Sequence, residues 1–187
     1  ARTNLIVQNS TFSKNAAMAS GQIGVTNVDR DGGGLFVTDN SVTLISGSTI
    51  DSNYTQGRGA GIFSAGSNGE LTIRDSVISN NRTNANGSLW RGRGGGVALE
   101  AAGRETLITN SLITGNTSTD VGGGLVTTRG NTVMENTTVS GNYGGYGFAD
   151  GFAVKLNDAG IDGDVTAAID SIVAGVGTDP DNYLFNR

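Results

Sequence analysis

The chain contains no cysteine and no histidine, and its single proline is Pro180. Without cysteine there is no disulfide framework and no thiolate chemistry. Without histidine there is no Ser/His/Asp triad and no His/Cys zinc site. Lysine is also scarce: Lys14 and Lys155 are the only two, and the net charge is -5. The basic stripe of a nucleic-acid binder is therefore missing, and no nucleic-acid partner is expected. No apolar run approaches the roughly 18 residues of a membrane span, so none is expected. The first residue is Ala1 rather than Met, which reads as a mature or excised segment whose leader has been removed.

What the chain has instead is small and polar. Gly, Asn, Ser and Thr make up 87 of 187 residues. The apolar residues come in short β-branched runs such as Leu5-Ile6-Val7 and Leu107-Ile108. Cheap turns and short aliphatic stretches suit many small strands rather than a few helices. This composition also fits an extracellular or cell-surface protein better than a cytosolic enzyme.

Two motifs alternate. The first is Ser/Thr, any residue, Ile/Val/Phe, two small or polar residues, then Asn. It occurs as Ser10–Asn15, Ser48–Asn53, Ser76–Asn81, Ser111–Asn116 and Thr137–Asn142. A worn sixth copy, Ser171–Gly175, has Val176 where Asn is expected. The second motif is glycine-rich and then aliphatic: Gly32–Val37, Gly59–Phe63, Gly94–Leu99, Gly122–Val126 and a degenerate Ala149–Val154. Successive motif asparagines stand as few as 26 or 28 residues apart. Such a period holds three short strands with their turns, one coil of a solenoid. The chain is thus expected to be all-β: a single-stranded, right-handed parallel β-helix of about six coils, one domain over 1–187. Insertions are expected at about 16–31, 82–93 and 155–164, because solenoids collect them at one corner.

Neighbouring coils would lie about 4.8 Å apart, so equivalent residues stack. Phe12, Ile50, Ile78, Ile113, Val139 and Val173 should form one aliphatic ladder inside the bore. Leu35, Ile62, Val97, Leu125 and Phe152 should form a second. Asn15, Asn53, Asn81, Asn116 and Asn142 should form a structural amide ladder at a turn, where Asn tolerates the left-handed backbone region. One glycine of each triplet should supply a positive φ.

These motifs resemble the pectate-lyase-like right-handed β-helix repeats of bacterial surface proteins. The polymorphic outer-membrane proteins, with GGA-I and F-x-x-N repeats, are the nearest named relatives. The resemblance covers about residues 5 to 181. It implies the fold strongly and function weakly, since such proteins include adhesins, autotransporter passengers and proteins of unknown role.

The enzymes of this fold imply clustered acids, and the recurring strand positions here hold only Asp51 and Asp75, each standing alone. No enzyme is expected. Asp158, Asp162 and Asp164 lie in a Gly/Asn/Asp stretch and are candidate ligands for a structural calcium, against the alternative of a solvated turn. No other cofactor is expected. Trp90, Tyr143 and Tyr146 are candidates for stacking on a surface glycan or a protein partner. Asp29-Arg30-Asp31 reads as a turn. Neither end carries a recognisable cap: Leu5, Ile6 and Val7 open the repeat, and Tyr183, Leu184 and Phe185 follow it. Two explanations stay open: a piece of a longer β-helix, or subunits self-associating head to tail. The leading expectation is a non-enzymatic extracellular structural protein stacking end to end into a filament or surface fibre. An adhesin or carbohydrate-binding module ranks second, and a polysaccharide lyase or hydrolase third.

Overall fold

The computed structural model describes residues 3–18, 30–38, 40–85, 92–145, 152–154, 163–169 and 172–173. The first turn of chain holds β1 (Thr3–Gln8), β2 (Thr11–Ser13) and β3 (Ala16–Ala17). The second holds β4 (Leu35–Val37), β5 (Ser41–Ser46), β6 (Thr49–Asp51) and β7 (Tyr54–Thr55). The third holds β8 (Ile62–Arg74), β9 (Val77–Ser79) and β10 (Arg82–Thr83). The fourth holds β11 (Val97–Thr109), β12 (Leu112–Thr114) and β13 (Thr117–Ser118), and the fifth β14 (Leu125–Glu135), β15 (Thr138–Ser140) and β16 (Tyr143–Gly144). Then come β17 (Phe152–Val154), β18 (Gly163–Ile169) and β19 (Ile172–Val173).

Each turn contributes to three parallel sheets. One runs β1-β5-β8-β11-β14-β17, with β4 also on β8 and β18 also on β14. The second runs β19-β15-β12-β9-β6-β2, and the third β16-β13-β10-β7-β3. Ala16–Ala17 and Arg82–Thr83, which open two of the expected insertions, are strands of this third sheet.

Both expected ladders form. Phe12, Ile50, Ile78, Ile113, Val139 and Val173 are consecutive register partners. Ile50, Ile78, Ile113 and Val139 are fully buried. Leu35, Ile62, Val97, Leu125 and Phe152 form the other. A third ladder carries no obvious motif: Val7, Ile45, Ile73, Ile108 and Met134.

Two features depart from the sequence reading. The first strand of a coil is long, not short: β8 and β11 each span 13 residues. The aliphatic stretch and the strand before the Ser motif are joined without a separate turn. Within β8 the join is bent, at Gly66, Asn68 and Gly69, all with positive φ. The ladder asparagines are also not the left-handed residues. That conformation falls one position earlier, at Lys14, Ser52, Asn80, Gly115 and Gly141. The chain must turn before the Asn so that its amide can point along the stack. A second left-handed column, Asn9, Gly47, Asp75, Asn110 and Asn136, precedes each motif Ser/Thr.

The first and third positions of the glycine triplet require glycine, for two different reasons, while the second is Ala60 in one copy. Its first member takes positive φ, as at Gly94 (+64°). Its third packs against the Asn ladder: a Cβ on Gly96 would stand 2.5 Å from the Gly124 carbonyl oxygen and 3.0 Å from Asn116 Nδ2. The two motifs are thus two sides of one packing contact.

Candidate functional site

Five amides line up in the Asn column, the arrangement a binding strip would need. Asn53, Asn81 and Asn116 are 0–1% exposed. Each backbone N–H and each Nδ2 donates to Oδ1 of the Asn in the following coil: Asn53 to Asn81 at 2.9 Å, Asn81 to Asn116 at 2.9 Å, Asn116 to Asn142 at 3.0 Å. The remaining amide hydrogen goes to a carbonyl of the preceding coil, as from Asn81 to Ile50 and from Asn116 to Ile78. The donors and acceptors of these amides are consumed internally. The column is structural.

A parallel ladder runs through the motif Ser. Ser48 N–H donates to Ser76 Oγ, and Ser76 N–H to Ser111 Oγ, each at 3.2 Å. Each hydroxyl in turn donates two residues back, Ser76 to the Arg74 carbonyl at 2.7 Å and Ser111 to Thr109 at 2.7 Å.

Asp51 is held by its polar neighbours. Its carboxylate accepts from the hydroxyls of Ser52 and Ser79 at 2.7 Å and from Asn80 Nδ2 at 2.8 Å. These hydrogen bonds, Ser52 first, then Asn80 and Ser79, with the charge of Lys14 adding, hold its pKa below the usual carboxylate range. A depressed folded-state pKa stabilises the fold above the unfolded value of about 3.9, and that contribution is lost as pH falls through the folded value. Asp51→Asn is expected to destabilise the fold at neutral pH by well under about 1 kcal/mol, because solvent screens the charge, and by less at acid pH. Urea unfolding at pH 7 and at pH 2 checks this; an equal loss at both would show that the charge is irrelevant.

Two sites were not legible from the motifs. The first is a pair of acids. Glu70 and Glu105 are register partners on neighbouring coils, followed in the same column by Asn131 and Asp164. Glu70, Glu105 and Asn131, with Thr72, Leu107 and Val133 beside them, line a groove of about 510 Å³ on the outer face of the long strands. These two acids lie outside the recurring motif positions, which hold only Asp51 and Asp75. The signal was there: Glu70 and Glu105 each precede their motif Ser by six residues. They were missed because that offset falls outside both motifs. Two carboxylates and an amide beside an aliphatic column could grip a hydroxyl-rich polymer or a cation.

The second is a charged knot at the glycine corner. Asp31, read as a turn, is a buried ion-pair anchor: its carboxylate accepts from the Arg58 backbone N–H and from Arg58 Nη2, each at 2.6 Å. Arg58 also pairs with Glu100, and its guanidinium sits 4.6 Å from the Phe63 ring centre. Phe63 stacks on Phe36 at 5.3 Å. Phe63, Ala98, Val121 and Val126 form a second small core outside the sheet. The charged groups tie three coils together.

Of the other sequence candidates, Tyr143 lies in β16, 57% exposed, at the end of the third sheet. Trp90, Tyr146, Asp158, Asp162, Tyr183, Leu184 and Phe185 lie outside the described residues. Asp164 is in β18, opposite Asn131. Among the described residues, no three acids come together as a metal site.

A family model described as a right-handed β-helix region matches residues 1–176. The chain belongs to the right-handed β-helix family. No curated protein and no solved structure matches it. The family accounts for this β-helix's parallel sheets and stacked ladders. It includes both enzymes and non-enzymes. Function has to be argued from the surface of this β-helix and its ends.

Proposed function

We propose that this β-helix is a non-enzymatic structural subunit of an extracellular or surface assembly, joined end to end through its coil faces. One observation supports this reading: the described residues of the first coil present an open parallel edge. Among the described residues β1, β2 and β3 pair on one side only. Ile6 is 64% exposed and Leu5 37%, and Asn15 is exposed while its ladder partners Asn53 and Asn81 are buried. Open parallel edges with unburied apolar side chains template further pairing. A second β-helical coil satisfies both at once.

Light scattering of the purified chain over a wide concentration range, with electron microscopy of the same sample, tests this. Mass should rise with concentration and linear particles should appear. A dispersed monomer throughout would remove the proposal.

The Glu70–Glu105 groove favours a second reading, a binding face for a hydroxyl-rich polymer. Calorimetric titration with neutral and acidic oligosaccharides checks it. Binding abolished by Glu105→Gln would support it; no heat with any of them would dismiss it.

A further inference from the structure

Each strand of the third sheet is two residues long, and the pleat sends the two to opposite sides. The second residues of β7, β10, β13 and β16, namely Thr55, Thr83, Ser118 and Gly144, are buried. The first residues face outward, and the register sets them in one column, Tyr54-Arg82-Thr117-Tyr143. Arg82 and Tyr143 are exposed, and Tyr54 and Thr117 are half-buried. Arg58, Arg74 and Arg93 each reach a carboxylate. Among the described residues Arg82 has no ion pair, and neither its guanidinium nor the hydroxyls of Tyr54 and Tyr143 make a hydrogen bond. The outer face of the first sheet carries Glu70 and Glu105, and that of the second carries Asp51. The outward column of the third carries a cation and no acid.

We propose that this column is a docking stripe for an extended, acidic, proline-containing segment of a partner protein, held as a polyproline II helix along the axis of the stack. The partner's sign follows from Arg82. An unpaired cation on a chain of net charge -5 calls for a carboxylate, which its planar fork grips with two hydrogen bonds. The partner's width follows from the sheet. Three coil intervals make the column about 14 Å tall, and the two-residue strands make it about 7 Å wide. That is on the order of 100 Å², against roughly 800 Å² per partner in a stable interface between folded proteins. A thin, extended chain fits where a folded domain does not. The partner's conformation follows from the backbone. β7, β10 and β13 are paired on both sides, so this face has no free N–H or C=O with which to add a β-strand. A polyproline II segment asks for none: it has no internal ladder, leaves its carbonyls open and docks on aromatic rings. Tyr54 and Tyr143 supply the rings and hydroxyl donors for those carbonyls. The repeat matches as well. One turn of polyproline II, three residues, rises about 9.3 Å, and the two coil intervals from Tyr143 to Arg82 span about 9.6 Å. A proline on Tyr143 and an acid three residues away on Arg82 therefore share one face of the segment, and the residues that follow reach Tyr54. This stripe lies apart from the coil faces and from the Glu70–Glu105 groove, so it needs neither of the readings above.

Isothermal calorimetry with a synthetic peptide of Pro-Pro-Glu repeats tests the stripe. The peptide should bind, and more weakly as salt rises. A Pro-Pro-Gln repeat, which lacks the acid, and a Gly-Ser-Glu repeat, which lacks the preformed helix, should each bind at least about tenfold more weakly. Arg82→Ala and Tyr143→Ala should each weaken binding of the Pro-Pro-Glu peptide by about tenfold or more. Both side chains are exposed, so both variants should fold; circular dichroism checks this, and either one suffices to test the stripe. Arg82→Lys keeps the charge but not the fork and should recover only part of the affinity. Absence of binding by the Pro-Pro-Glu peptide would overturn the proposal. So would binding left intact by Arg82→Ala or by Tyr143→Ala, which would place the peptide elsewhere. Equal binding of the Gly-Ser-Glu repeat would show charge alone at work, and tighter binding of a uronate oligosaccharide would make the stripe a sugar site; either result overturns the peptide helix.

Discussion

Asn81→Ala should lower the unfolding free energy by about 3–5 kcal/mol, whereas Asn15→Ala should cost about 1 kcal/mol or less. The difference comes from what each substitution leaves behind. Removing the Asn81 side chain takes away the acceptor for two donors of Asn53, its backbone N–H and its Nδ2. It also takes the donor from the Ile50 carbonyl. All of these lie in the buried stack, where no water replaces the lost partner, and each orphaned group costs about 1–3 kcal/mol. At Asn15 the side chain is exposed, so its groups can turn to solvent. Asn81→Asp should be as damaging as Asn81→Ala, because it places a carboxylate oxygen against Asn116 Oδ1 and the Ile50 carbonyl. Urea unfolding of the three variants measures the order. Equal losses for Asn15→Ala and Asn81→Ala would mean that the ladder is ornamental.

Gly96→Ala should destabilise by at least about 3 kcal/mol, the upper end of ordinary overpacking. The added methyl would meet the Gly124 carbonyl oxygen at 2.5 Å and Asn116 Nδ2 at 3.0 Å. Neither neighbour can swing away: one is backbone of the next coil, the other is held in the amide ladder. Relief requires prising two coils apart. Gly141→Ala is the contrast. Its φ, unlike that of Gly96, is left-handed, at +63°, and its nearest neighbour is the Thr114 hydroxyl at 3.4 Å. Only the backbone penalty applies, about 1–2 kcal/mol. Thermal or urea unfolding separates the two effects, and a Gly96→Ala variant as stable as Gly141→Ala would show the stack to be softer than its geometry states.

The fold was legible because its determinants repeat. Phe12, Ile50, Ile78, Ile113, Val139 and Val173 share one offset from their motif Ser, so sequence alignment of the copies is already the register of the sheet. What repeats once per coil can be read without a structure. What does not repeat, or repeats only twice, could not. Glu70 and Glu105 form a pair because an Asn holds the same place in the next coil and a valine, Val42, in the one before. Two copies look like chance until the strands are laid side by side. Asp31, Arg58 and Glu100 are farther from legibility, since they meet across three coils at unrelated offsets. The left-handed residue was misplaced by one position for a different reason. Asn is the residue type that tolerates positive φ best, yet here its amide is needed for bonding along the stack, and the turn is left to Lys14, Ser52 and Asn80. Propensity gave way to hydrogen bonding.

The coupling of the third glycine to the following Asn has a bearing on how such a chain can lengthen. The contact Gly61–Asn81 has the same geometry as Gly96–Asn116. Gly and Asn of one coil recognise each other, and the faces above and below are nearly the same from coil to coil. A segment copied from one Asn to the next would bring its own glycine partner and present a matching surface on both sides. Tandem duplication of a single coil is therefore close to neutral for the fold. A gene of this kind can change the length of its product one layer at a time, while the corner that accepts extra residues diversifies independently.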